Sequence, residues 1–137
     1  MAVTPPLTRD EHLAHDPVLS DISRAMVRVY RQQLGRGPAR TRTNWAGPDV
    51  LVVTLEQTLT QAERTMRALG EHKRLCDLRT LLQEADIRDF CDPVEAATGR
   101  KVRAFLSAID TTADVATETF VLHTGDYDGP SRTQQHP

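Results

Sequence analysis

Two short segments do most to constrain how this chain can fold: Gly35-Arg36-Gly37-Pro38 and Thr98-Gly99-Arg100-Lys101-Val102. Each lies between a stretch of helical periodicity and a stretch of alternation. A glycine after the last helical residue accepts the left-handed conformation that closes a helix, and the proline at 38 cannot continue one. Each segment therefore stops a helix and launches a hairpin, so the chain reads as helix, hairpin, helices, hairpin.

The first helix opens with Asp16 as N-cap and Pro17 at the first helical position, where a missing N–H costs nothing. Leu19, Ile22, Met26, Val29 and Tyr30 recur at three- and four-residue spacing and share one face. Gly35 ends the helix, and Arg36 is expected to meet its last carbonyls. Ala39, Thr41, Thr43 and Trp45 then alternate with Arg40, Arg42 and Asn44, the pattern of a half-buried strand. Ala46-Gly47-Pro48-Asp49 supplies the turn. Val50 to Leu55 is β-branched and apolar on both faces, which calls for cover on both sides or for a subunit interface through Val50, Val52 and Thr54.

Thr60 and Glu63 form a capping box for a short helix that Gly70 closes. Leu75, Leu78, Leu82 and Ala85 share the apolar face of a longer helix, with Leu81 beside it; Phe90, Val94 and Ala97 continue the spacing past Asp92-Pro93, where a kink or break is predicted. Val102 to Ile109 and Val115 to Leu122 read as strands joined by the turn formers of 110–114. The sum is an α+β fold, α-β-β-α-α-β-β, with a four-stranded antiparallel sheet and helices packed on one face.

The 137 residues suit one domain, placed at 16–122, between arms at 1–15 and 123–137 whose lack of periodicity predicts disorder. Aromatics are 4% of the chain, too few to stack nucleobases, and a net charge of −2 gives no electrostatic case for nucleic acid. No stretch approaches the roughly 20 apolar residues of a membrane span, so direct insertion is not expected. Cys76 and Cys91, 15 positions apart, lack the close pairing of redox or zinc sites, which favours a reducing cytoplasm.

Candidate chemistry is sparse. Gly35-Arg36-Gly37 follows a helix, whereas phosphate-cradling loops precede one. His12, His15, His72, His123 and His136 form no ligand set, so neither metal nor cofactor is expected. Ser107 has no identifiable base and reads as a hydrogen-bonding or turn residue, with Asp110 opening the turn; Asp89 and Asp92 read as solvated. An enzyme is the least supported class. Charge is the stronger signal: Ile22 to Pro48 holds six arginines and no acid, whereas Glu84 to Glu95 holds five acids and one arginine. Arg36, Arg40 and Arg42 form the candidate ligand-binding set, since guanidinium forks suit carboxylate, bicarbonate or phosphate. The alternatives are a solvated face, or association with the acidic helix of another copy.

The helix followed by Gly35-Arg36-Gly37-Pro38, the apolar strand ending in Leu55 with Leu59-Thr60-Gln61-Ala62-Glu63 after it, and Thr98-Gly99-Arg100-Lys101-Val102 before a final hairpin together resemble the MpsC-like family over about 19–122. The resemblance implies a small bacterial domain linked to a cation-translocating, membrane-potential-generating system whose other components act in bicarbonate uptake. It carries over no functional residue. The reading is a non-enzymatic accessory or regulatory binding domain, a homodimer with a protein partner in such a system; the alternative is a small-anion sensor using the arginines.

Overall fold

The computed structural model describes residues 16–134; the expected N-terminal arm, 1–15, lies outside them. Helix α1 spans Pro17–Leu34, with the Asp16 carboxylate accepting from the Val18 N–H at 2.9 Å and Gly35 closing it at φ 77°. Strands β1 (Arg40–Trp45) and β2 (Val50–Glu56) form the first hairpin. Helices α2 (Gln61–Ala68), α3 (His72–Ala85) and α4 (Ile87–Thr98) follow, then β3 (Val102–Asp110), β4 (Val115–Leu122) and a 3₁₀ turn at Arg132–Gln134. Both halves of the Thr60–Glu63 capping box are made.

The sheet is antiparallel throughout, in the order β1-β2-β4-β3. Cross-strand register aligns Thr43, Val53, Glu118 and Ser107 in one row, and Trp45, Leu51, Phe120 and Phe105 in another, all on the same face. Leu51, Val53, Leu55, Phe120 and Leu122 bury that face under Ile22, Met26 and Val29 of α1 and Phe90 and Val94 of α4. The chain's three phenylalanines meet here: Phe105 stacks on Phe90 and Phe120 with centroids 5.2 and 5.1 Å away. Each such pair adds about 1 kcal/mol beyond its buried area, so the few aromatics serve the core.

The opposite face is different. Val50, Val52 and Thr54 of β2, Thr117, Thr119 and Val121 of β4, and Ala104 of β3 stay half-buried there, and Leu106 is 57% exposed. The β2 strand is thus covered by helices on one side only among the described residues.

Four local expectations change. Pro93 sits inside an unbroken α4, and the helices divide at Asp86, whose φ of −117° leaves the helical region. Gln33 of α1 bonds to this junction: its amide donates to the Leu82 carbonyl at 3.0 Å, which also accepts from the Asp86 N–H, and to Asp86 Oδ2 at 2.9 Å. Arg36 does not meet the carbonyls ending α1; it crosses to the Leu59 carbonyl at 2.9 Å. The inward face of α3 is Leu75 and Arg79, with Leu78 and Leu81 exposed, because Arg79 has a buried acidic partner. Finally, residues 123–134 are ordered: His123 stacks on Tyr127 at 3.6 Å, and Ser131 and Thr133 are buried. Residues 135–137 lie outside the described residues.

Candidate functional site

The arginines read from the sequence do not converge. Arg36 is spent on the Leu59 carbonyl, tying the α1–β1 turn to the segment that precedes α2. Arg40 and Arg42 do share the open face of β1: Arg40 approaches its cross-strand neighbour Glu56 at 3.7 Å, and Arg42 stands opposite Thr54 with its Nε buried and without a hydrogen-bond partner. The acid beside Arg40 is therefore in β2 rather than in the Glu84 to Glu95 region.

A second set of arginines, on α1, lines a cleft that the first set does not. Arg24, Arg28 and Arg31, with Ser23, Val27 and Thr41, enclose about 380 Å³ between α1 and β1. Spacing of four and three residues puts the three on one helical stripe. Ser23 Oγ lies 2.7 Å from Thr43 Oγ1, which fixes the helix against the strand, and Arg24 contacts Asp21 at the surface. β1 is an edge strand, so this cleft runs beside an unpaired edge.

The chemistry with the largest electrostatic consequence is buried. Glu118 is fully inaccessible at the middle of β4 and accepts from the Tyr30 hydroxyl at 2.7 Å, while its second oxygen has no hydrogen-bond partner. Burial pushes its pKa up to about 7, against the opposing effects of Ser107, Tyr30 and Arg79. Burial and the Glu118 charge together hold the Tyr30 phenol well above its ordinary value. The Ser107 hydroxyl stands in the Glu118 row of the register, buried and outside normal hydrogen-bond geometry. A cavity of about 210 Å³ touches Ser107, Phe105, Ile87, Gln83 and Arg132.

Arg79 adjoins this group, its guanidinium carbon 6.0 Å from the Tyr30 ring centroid. It makes a two-pronged ion pair with Glu63, at 2.5 and 2.9 Å, and also donates to the Thr58 carbonyl at 3.1 Å. Burial opposes ionisation of Glu63, but hydrogen bonds from Arg79 and Thr60 outweigh it and hold its pKa below the usual range. Asp114, at φ 56°, accepts from the Thr58 N–H at 2.8 Å, so the polar cluster also closes one end of the sheet. Cys91 is buried and its thiol is pushed up to about 12, which leaves it inert. No group of three or more metal-ligating side chains lies together, and no helix is long and apolar enough to cross a membrane, among the described residues.

Sequence reasoning missed Glu118, Tyr30 and Arg79 as a group. The signal was present in part: alternation from Ala116 to Leu122 puts Glu118 on the inward face between Ala116 and Phe120. A charge at such a position demands a buried partner.

A family model described as "Na+-translocating membrane potential-generating system (MpsC)" matches residues 16–124. No curated protein and no solved structure matches the chain.

Proposed function

The chain belongs to the MpsC family, and on that premise we propose that it is a non-enzymatic accessory or regulatory domain, acting in the cytoplasm by binding protein within a Na+-translocating, membrane-potential-generating system. The observation that supports this reading is the open sheet face. Val50, Val52 and Val121 lie half-buried beside exposed Leu106, with no described helix over them. A sheet face that carries Val50, Val52, Val121 and Leu106 among threonines, with no described helix over it, suits association.

Self-association through this face is the simplest form of that binding, since two copies related by a twofold axis present the same valines and Leu106 to one another. Sedimentation velocity at micromolar concentration tests it. A dimer that becomes monomeric on Val52→Lys, with the circular dichroism spectrum retained, is the expected outcome. A well-folded wild-type monomer at high concentration would rule the homodimer out.

A second reading, a small-anion sensor at Arg40 and Arg42, is favoured by the unpartnered Arg42 Nε. Arg36, engaged by Leu59, would have to leave its carbonyl to join them. Calorimetric titration with bicarbonate, formate, acetate and phosphate separates the readings: saturable heat abolished by Arg40→Ala supports the sensor, and silence across the panel supports a protein partner.

A further inference from the structure

We propose that the free edge of β1 takes an extended acidic segment of a partner protein as a fifth strand, an inference that rests on the protein-binding reading and names a surface and a partner chemistry for it. The argument begins with the backbone. β1 pairs with β2 alone among the described residues, and Ala46 donates to the Val50 carbonyl at 2.8 Å, which makes 46 and 50 a hydrogen-bonded pair. Hydrogen-bonded and non-bonded pairs alternate along an antiparallel ladder. The register of Arg42 with Thr54 and of Thr43 with Val53 then turns the N–H and C=O groups of Thr41, Thr43 and Trp45 outward. These groups are an open template for another strand.

Side chains set what that strand must carry. Successive residues of a strand point to opposite faces. On one face an added strand would run under Arg24, Arg28 and Arg31 in the α1–β1 cleft; on the other it would lie beside Arg40 and Arg42. Both of its faces would therefore meet guanidinium groups. Arg24 and Arg31 are seven residues apart, about 10 Å along a helix, and alternate residues of a strand are about 7 Å apart, so two same-face carboxylates fit the stripe. Arg42 Nε, buried and without a partner, is one donor that such a carboxylate would satisfy.

A second copy of β1 is a poor occupant of this edge. Antiparallel pairing of two such strands brings the arginines of both copies to one seam, and sets Arg40 opposite the other copy's Arg42 when it centres on Thr41; like charges opposite one another in a sheet are destabilising. Acidic residues in the partner turn that repulsion into attraction.

Fluorescence anisotropy with the full chain tests the proposal, using a labelled eight-residue peptide that repeats Glu-Glu-Val-Val and so carries glutamate on both strand faces. The expected result is saturable binding that weakens with salt, falls by about tenfold or more on Arg28→Glu, and falls comparably when alternate peptide amides are N-methylated. Arg28 is exposed on α1, so its replacement leaves the core untouched. Equal binding of the glutamine counterpart would overturn the charge argument, and equal binding of the N-methylated peptide would overturn strand addition. Absence of saturable binding would leave the arginines as guards that keep the edge from pairing, and the proposal would fall. The Val52→Lys sedimentation result is independent of all three, because Val52 lies on the open face of an interior strand.

Discussion

Tyr30 donates its phenolic hydrogen to Glu118 at 2.7 Å, linking residues 88 positions apart. The bond joins the first helix to the strand at the centre of the sheet, inside a core where Glu118 has no access to water. Its geometry is one-sided, since the other carboxylate oxygen has no hydrogen-bond partner. The hydrogen bond that reaches this carboxyl with normal geometry comes from the phenol.

Replacing Tyr30 with Phe keeps the ring and its edge contact with Phe90 while removing the donor. A buried acceptor left unsatisfied costs about 1–3 kcal/mol. Urea unfolding should show that loss, with an unchanged slope. Full retention of stability would show that Glu118 finds another donor.

Glu118→Gln should change how stability depends on pH. The wild-type carboxyl moves from an ordinary 4.5 in the unfolded chain to about 7 in the folded one, so between those values the native state holds the extra proton. Its contribution is complete below pH 4.5 and is lost as pH rises through about 7, a difference of about 3 kcal/mol at roughly 1.36 kcal/mol per pH unit. Glutamine cannot ionise, yet its carbonyl can still accept from Tyr30. The variant should match wild type near pH 4.5 and exceed its stability by about 3 kcal/mol at pH 8. Parallel pH profiles for the two proteins would refute a neutral buried Glu118.

Most of the architecture was legible because it is written in short-range signals. The Asp16 cap, the Thr60–Glu63 box and the left-handed glycines at 35 and 99 mark element ends where the structure has them. Strand alternation also sorted Thr41, Thr43 and Trp45 from Arg40, Arg42 and Asn44 correctly. What failed needed a partner distant in sequence. Pro93 is the helix breaker by local rules, but the division falls at Asp86, which is hydrogen-bonded to Gln33, 53 residues away. Arg79 interrupts the leucine spacing of α3, and its burial follows only once Glu63 of α2 is placed beside it. The arginine-rich edge was half visible: alternation puts Arg40 and Arg42 on one face of β1, whereas placing Arg24, Arg28 and Arg31 near that strand required knowing that α1 lies along it.

Met26 is fully buried between α1 and the sheet. Met26→Asp places an unpaired carboxylate there and should cost several kcal/mol. Thermal unfolding measures the loss. An unchanged midpoint would contradict the packing of α1 on this face.

Arg79 and Glu63 allow the sharpest test of how the buried polar cluster is balanced. Both side chains are 4% exposed, so solvent screens the pair little. Arg79→Met removes the partner and leaves Glu63 buried as a lone charge, a change that costs about 3–5 kcal/mol. Adding Glu63→Gln to that variant removes the charge while the glutamine can still accept from the Thr60 N–H that Glu63 now receives at 2.9 Å. The double variant should therefore recover much of the loss and lie within about 1–2 kcal/mol of wild type. Acid separates the cases further. In the wild type the Glu63 pKa is held below its unfolded value, so the native state releases a proton that the unfolded chain keeps, and this stability is lost as pH falls through the folded pKa. In Arg79→Met burial acts without the guanidinium and raises the same pKa, so acidification relieves the buried charge and narrows the gap between variant and wild type. Urea unfolding at pH 7 and pH 4.5 on all three proteins reads both effects. A single Arg79→Met loss below about 1 kcal/mol at pH 7 would show that Glu63 is not left as a buried lone charge, and would overturn this reading of the cluster.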